Sequence, residues 1–334
     1  MNGIIFFDKP EGFTSHDVVA KLRRILDIKK IGHAGTLDPM ATGLLTLGVG
    51  PATRLLTYMV GLNKTYEATI RLGATTVTDD HEGEIVKTAP IELLSAITDE
   101  EIYAEIKKLS GEILQIPSSV SAVRIQGKKA YELVREGQKV ELKPRAVTVF
   151  NFNVEKILRV YSDENNSLVT TGDSPEKLDS LAIPDSLAIP DSRDINFIDI
   201  NVSVTCSSGT YIRALARDLG EALKVGGHLT RLRRTSVGPF ELKKLNYVAT
   251  FAEETAGETT AEPNITPPQD VAKQLFDTIT LTESQSIELL QGKRFEVKSG
   301  DTKLTAALSP TGALLGLIEI KKGVIRAITN FPQS

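Results

Sequence analysis

The chain has 334 residues, 41% of them apolar, with one cysteine and a formal net charge of −4. That length exceeds what one typical domain needs, so a large domain plus a small one is expected, and the single Cys206 excludes an intrachain disulfide and fits a reducing compartment. No apolar run reaches the roughly 20 residues of a membrane span, and no basic stretch precedes the short apolar start as in a secretory leader, so a cytoplasmic protein with no membrane partner is expected.

In chain order, residues 3–8 read as a buried strand ended by a turn at Pro10 and Gly12. Thr14 and Asp17 have capping-box spacing, and Val18, Val19, Leu22, Ile25 and Leu26 then recur at helical period. A glycine-rich stretch, 31–43, leads into a strand at 44–49 and a helix at 51–60 with proline in its first turn. Residues 66–72 alternate as a strand does, and 99–109 have helical period. A strand at 198–206 enters Ser207-Ser208-Gly209, followed by a helix at 210–223. Strands mixed with helices, lacking a regular βαβ repeat, point to an α+β fold.

Two stretches interrupt this order. Residues 162–193 are polar and contain a hexapeptide, 180–185, repeated at 186–191; two copies are too few for a solenoid, and a surface insertion is expected. Residues 250–270 are rich in Glu, Thr and Pro and read as a linker. Beyond them, one short helix and β-like runs at 303–308, 314–320 and 323–328 suffice for a small barrel.

Net negative charge argues against a nucleic-acid partner, but the charge is uneven. Residues 21–64 hold seven basic side chains against two acidic, and 206–244 hold eight against three. The acid gathers near 98–105, 173–194 and 253–262. A locally basic cleft is therefore compatible with the balance.

The segment 32–43, Gly-His-Ala-Gly-Thr-Leu-Asp-Pro-Met-Ala-Thr-Gly, places Asp38 before a proline in a glycine-flanked loop. Two readings stand side by side: a chemically active carboxylate, or an N-cap for a helix starting at Pro39. On its alternation alone Tyr66 reads as a core tyrosine, and Arg231, Arg233 and Arg234 read equally as a solvated face or a phosphate contact. Arg213 would stand in the first turn of a helix, where the dipole disfavours a cation, so a carboxylate partner is expected. His16, His33, His81 and His228 are scattered, and no Cys/His set has metal-ligand spacing, so no metal is expected.

The segment 32–43 resembles the signature of the bacterial tRNA pseudouridine-55 synthases, the TruB family, whose motif carries the catalytic aspartate. Further stretches match in order: 3–12 with its Asp-Lys-Pro turn; Lys64-Thr65-Tyr66 with Arg71-Leu72-Gly73; Asp80; Gln115-Ile116-Pro117 through Tyr131; 206–213; and Leu232-Arg233-Arg234. Several long motifs in the right order are far more specific than any one. Val120-Ser121-Ala122 departs from the family, which often has tyrosine before Ser-Ala, so one aromatic contact of the insertion is not expected here.

The resemblance implies a fold and a chemistry. The fold is α+β, a mixed, largely antiparallel pseudouridine-synthase sheet with flanking helices, plus a small C-terminal PUA-like β-barrel. Residues 1–250 would be the catalytic domain, with an RNA-contacting insertion at about 115–145 and the surface insertion at about 162–193; 251–270 would be a linker and 271–334 the PUA-like RNA-binding domain. Asp38 would be the essential carboxylate, Arg213 its partner, Tyr66 the stacking platform for a flipped base, Tyr211 a pocket wall and Leu232 a contact to uracil. His33 would fill the space left by the base, Lys9 and Asp80 would support the site, and Lys64, Arg233 and Arg234 would meet RNA. Isomerisation needs no cofactor. The expected partner is tRNA, at its T-loop and acceptor stem, met by a monomer with no obligate protein partner. An RNA-guided synthase subunit and a non-catalytic tRNA-binding or tRNA-folding protein are the alternatives.

Overall fold

The computed structural model describes residues 1–121, 142–161, 196–251 and 263–332, with the backbone of 124–125, 128–129, 162 and 168–171. The chain divides into two compact units: Met1–Leu62 with Arg234–Ser334, and Asn63–Arg233. The repeated hexapeptide, Tyr131, and most of the expected insertions lie outside the described residues.

The first unit opens with β1 (Gly3–Lys9), α1 (Ser15–Leu26), β2 (Ile31–Ala34) and β3 (Thr42–Val49). β1 and β2 both pair antiparallel with β3, in registers that set Phe6 against Thr46 and His33 against Leu47. α1 forms where its sequence signals it. Thr14 Oγ1 accepts the Asp17 N–H while the Asp17 carboxylate accepts the Thr14 N–H, a reciprocal cap worth about 1 kcal/mol. Val18, Val19, Leu22 and Leu26 form its buried face. The expected helix at 51–60 is instead a 3-10 turn, Gly50–Arg54, followed by α2 (Leu56–Val60). Neither Val49 nor Leu55 supplies a side-chain cap, so nothing at either start favours one continuous α-helix.

The second unit contains β4 (Lys64–Leu72), β5 (Ala74–Thr76), β6 (Ile85–Thr88), α3 (Ile91–Ser95), α4 (Asp99–Lys108), β7 (Gly111–Gln115), β8 (Arg124–Ile125), β9 (Lys128–Lys129), β10 (Arg145–Ser162), β11 (Leu168–Thr171), β12 (Phe197–Cys206), α5 (Ile212–Ala222) and most of β13 (Gly227–Val237). Its main sheet runs β13-β4-β12-β10-β11, with β7 also on β10, and β4, β12, β10, β7 and β11 pair antiparallel. β12 shows why it is a strand: Ile198, Ile200, Val202, Val204 and Cys206 point alternately inward and are all buried.

β13 crosses the boundary between the units at Arg233–Arg234. In the first unit it ends on β14 (Phe240–Glu241), followed by α6 (Pro268–Leu275), β15 (Asp277–Thr280), α7 (Glu283–Leu290), β16 (Phe295–Glu296), β17 (Thr302–Leu308), β18 (Leu314–Lys321) and β19 (Val324–Asn330). The last five strands form one sheet, ordered β15-β17-β18-β19-β16, with β15 parallel to β17 and the rest antiparallel. The runs read from sequence as 303–308, 314–320 and 323–328 are β17, β18 and β19. The fold is α+β, largely antiparallel, with a small β-sheet at the C-terminal end.

Candidate active site

Asp38 sits in the tight turn between β2 and β3, half-buried. No helix starts at Pro39; Ala41 N–H reaches back to Asp38 O at 3.1 Å and the chain then enters β3, so the N-cap reading fails. The residues on either side of Asp38 are held by other parts of the unit. Ser15, fully buried in α1, accepts the Leu37 N–H at 2.9 Å and donates to Leu37 O at 3.2 Å. Pro39 O accepts from Gly12 N–H at 3.0 Å and from Lys9 Nζ at 3.1 Å.

Lys9 is fully buried, and its ammonium also donates to Pro10 O at 2.9 Å and Phe13 O at 2.7 Å. Carbonyl oxygens on three residues solvate the charge in place of water. Lys9 is therefore a brace of the turn that carries Asp38, in keeping with a supporting role.

Arg234 departs from expectation. Only 1% exposed, it donates from Nε to Leu44 O at 2.7 Å and from Nη2 to Gly35 O at 3.0 Å. Those carbonyls stand on the two limbs of the Asp38 loop. An RNA phosphate has no access to a guanidinium buried in this way, so Arg234 ties the loop together instead of contacting RNA. Gly43 explains the close approach: at φ +98°, a Cβ there would lie 2.3 Å from Arg234 O, so only glycine fits.

His33 lies on β2, half-buried, with the His16 ring edge-on at 5.4 Å between centroids. Burial, then the nearby His16 and Arg234, lowers its pKa from the ordinary histidine value.

The other expected residues belong to the second unit, so Asp38 and its expected partners Tyr66 and Arg213 fall in different units. Tyr66 is half-buried on β4, paired with Val204 of β12. Lys64, at the start of that strand, is buried opposite Cys206, whose thiol burial pushes up to about 11. Leu232 is buried on β13, and Arg233 is half-buried.

Arg213 is buried in the first turn of α5, where an acidic partner was expected, and one is present. Its Nη1 lies 3.2 Å from Asp80 Oδ2 and donates to Thr78 O at 2.7 Å; Nη2 donates to Val120 O at 2.9 Å. Asp80 Oδ1 is itself held by Thr78 Oγ1 at 2.5 Å and by the Glu82 N–H at 3.1 Å. Asp79, at φ +60°, makes the turn that presents these groups and accepts the Leu229 N–H at 3.1 Å.

Three positioning groups were not read from the sequence. Beside Ser15, they are Gln115 and Arg217. Gln115 accepts the Tyr211 N–H at 2.8 Å and donates to Tyr211 O at 3.1 Å, which fixes the entry to α5. Arg217, one turn after Arg213, lies 3.2 Å from Asp79 and 2.7 Å from Asp218, and donates to Ile116 O at 2.7 Å. Helical i, i+4 spacing was the available signal for Arg217. Among the described residues, no cluster of His, Cys, Asp and Glu could hold a metal ion, and no helix is long and apolar enough to cross a membrane.

The fold is that of a chain in the structure of an H/ACA RNP bound to a substrate RNA containing 2'-deoxyuridine. The likeness has a TM-score of 0.62 at 21% identity, over 99% of this chain and 85% of that one. A chain of a Cbf5-Nop10-Gar1 complex is similar at a TM-score of 0.61 and 22% identity, over 99% of this chain and 84% of that one. In sequence, residues 23–169 match the TruB family pseudouridylate synthase N-terminal domain, and 213–272 match the tRNA pseudouridylate synthase B C-terminal domain. Among curated relatives, tRNA pseudouridine synthase B of Leifsonia xyli subsp. xyli is 44% identical, over 99% of this chain and 97% of that protein. The protein of the same name from Arthrobacter sp. (strain FB24) is 41% identical, over 100% and 98%. The chain belongs to the TruB family of pseudouridylate synthases.

Proposed function

We propose that this chain isomerises uridine 55 in the T-loop of tRNA to pseudouridine. The observation that carries the reading is end-to-end similarity, at 44% identity, to a protein named as a tRNA pseudouridine synthase. The reaction breaks the N1–C1′ bond, turns the uracil, joins C1′ to C5, and exchanges the C5 proton for one on N1. Nothing else enters or leaves, so the balance calls for no redox or group-carrying cofactor.

The base must first leave its stack, at a cost of roughly a few kcal/mol. His33 fills the vacated space and Tyr66 stacks on the extruded base, which offsets that cost. Asp38 attacks the ribose or the base, or assists glycosidic cleavage. Arg213 pairs with the Asp38 carboxylate, Tyr211 walls the pocket, Leu232 contacts the uracil, and Lys64 and Arg233 face the RNA. The braces on Leu37 and Pro39 support the role of Asp38, because a reacting group works best when its seat is fixed beforehand.

The same reading gives residues 1–250 to catalysis, with the insertion at about 115–145 on the RNA, 251–270 to a linker, and 271–334 to a PUA-like domain on the acceptor stem. The enzyme is a cytoplasmic monomer that needs no protein partner. An RNA-guided subunit is the weaker reading, since likeness to the H/ACA chains stands at 21–22% identity and extends to the fold alone.

The test incubates the purified chain, without guide RNA or metal, with unmodified tRNA transcript and maps pseudouridine at nucleotide resolution. One site in the T-loop is expected. Product at several unrelated sites, or only after partner proteins are added, rejects the reading. Asp38→Asn is expected to lower turnover by about a thousandfold or more while sparing tRNA affinity; a comparable loss of binding would make Asp38 structural.

A further inference from the structure

Resting on that reading of Asp38, we propose that Ser15 is a positioning residue for the reaction: its hydroxyl fixes both main-chain groups of Leu37, the residue directly before the carboxylate. Ser15 is fully buried at the first position of α1, 22 residues away in sequence from the peptide it holds. A hydroxyl has one proton and two lone pairs. Here the proton goes to Leu37 O and a lone pair takes the Leu37 N–H, so one atom defines the placement of that residue at two points.

The bond is not part of a helix cap. Thr14 caps α1 and forms its reciprocal pair with Asp17, leaving Ser15 to reach across to the loop. Nor does a ladder supply what Ser15 gives, because Leu37 lies between the end of β2 at Ala34 and the start of β3 at Thr42. Downstream, Lys9 and Gly12 hold Pro39 O. Asp38 is thereby suspended between two fixed neighbours, and Ser15 is the upstream anchor. Ser15 touches no reacting atom in this scheme; it acts through Leu37.

Removing the hydroxyl frees the upstream side of Asp38 while leaving the RNA-contacting side chains in place. A displacement of about 1 Å at a reacting group costs on the order of a hundredfold in rate. Ser15→Ala is therefore expected to slow single-turnover release of tritium from tRNA carrying [5-³H]uridine by roughly 10- to 100-fold, with the Kd for tRNA unchanged. Ser15→Thr, which keeps the hydroxyl, should restore most of the rate. Thr98→Ala, which removes the cap of α4, serves as a destabilised control expected to turn over normally. If Ser15→Ala does not fold, Ser15→Cys, a weaker donor and acceptor, takes its place with the same expected split. A folded Ser15→Ala enzyme with undiminished rate, or one whose tRNA affinity falls in step with its rate, overturns the proposal. Absence of tritium release by the unaltered chain would instead reject the functional reading, so the two failures are distinct.

Discussion

A guanidinium carries five N–H donors, and each one buried without an acceptor costs free energy. Arg234 places two of these donors on Leu44 O and Gly35 O. Its charge then acts on its surroundings: with burial and His16 it holds His33 toward the neutral form. His228, buried with Nδ1 3.1 Å from Ala74 O, is likewise lowered, chiefly by burial. Above the unfolded histidine pKa of about 6.5 both rings are neutral in either state, and the full stability is present. As pH falls through that value and on through the lower folded values, the unfolded chain takes up protons first, and stability is lost. Asp218, raised by burial against the pull of Arg217, acts in the opposite sense, so the comparison must be made with variants. Urea unfolding of the unaltered chain should show lower stability at pH 5.5 than at pH 7.5, and His228→Asn should narrow that difference. Equal pH dependence in both proteins would show that His228 is not among the groups responsible.

The braces join elements that sequence reading treats separately. Several signals whose partners lie within one element were legible. The capping box of α1, the alternation of β12 and the runs of β17 to β19 all read correctly, because each depends on side chains a few residues apart. The place of Arg213 in the first turn of α5 made a carboxylate partner predictable, but not its identity, because Asp80 lies far away in sequence, outside that helix. Asp38 was open to an N-cap reading because Asp-Pro has the same spacing in a cap as in this turn; the path of β3 decides it. The positioning roles of Ser15 and Gln115 were not legible, since they act across 22 and 96 residues and no periodicity marks them. Gln115 carries a prediction at this scale. Its amide, 1% exposed, makes both of its bonds to Tyr211 at the N-terminus of α5. Gln115→Leu removes both and should lower unfolding free energy by about 2 kcal/mol, measured by urea denaturation. A change within about 0.5 kcal/mol, the range of ordinary surface substitutions, would mean that α5 is seated by other contacts.

At the scale of the whole chain, the C-terminal segment raises the question of whether 271–334 folds as an appendage or as part of something larger. A linked, independent domain would bury its own apolar residues and leave those of the N-terminal segment to themselves. In the first unit one apolar cluster instead contains Ile4, Phe6, Leu55 and Met59 together with Val271, Ala306, Leu317 and Phe331. Polar contacts repeat the pattern: Tyr58 Oη lies 3.1 Å from Thr329 Oγ1, Arg54 donates to Asn330 O, and Ile4 exchanges backbone hydrogen bonds with Thr266. Each large apolar side chain stripped of its cover forfeits about 1.5–3 kcal/mol, and several are involved, against a total stability of only 5–15 kcal/mol for a typical domain. A chain ending at residue 262 is therefore expected to be insoluble or to melt at least roughly 10 °C below the full chain, whereas loss of a tethered RNA-binding domain would weaken tRNA affinity and leave the melting temperature alone. Calorimetry on the two chains separates these outcomes, and a truncated protein that melts where the full chain does would show that the N-terminal part of this core is complete without its C-terminal half.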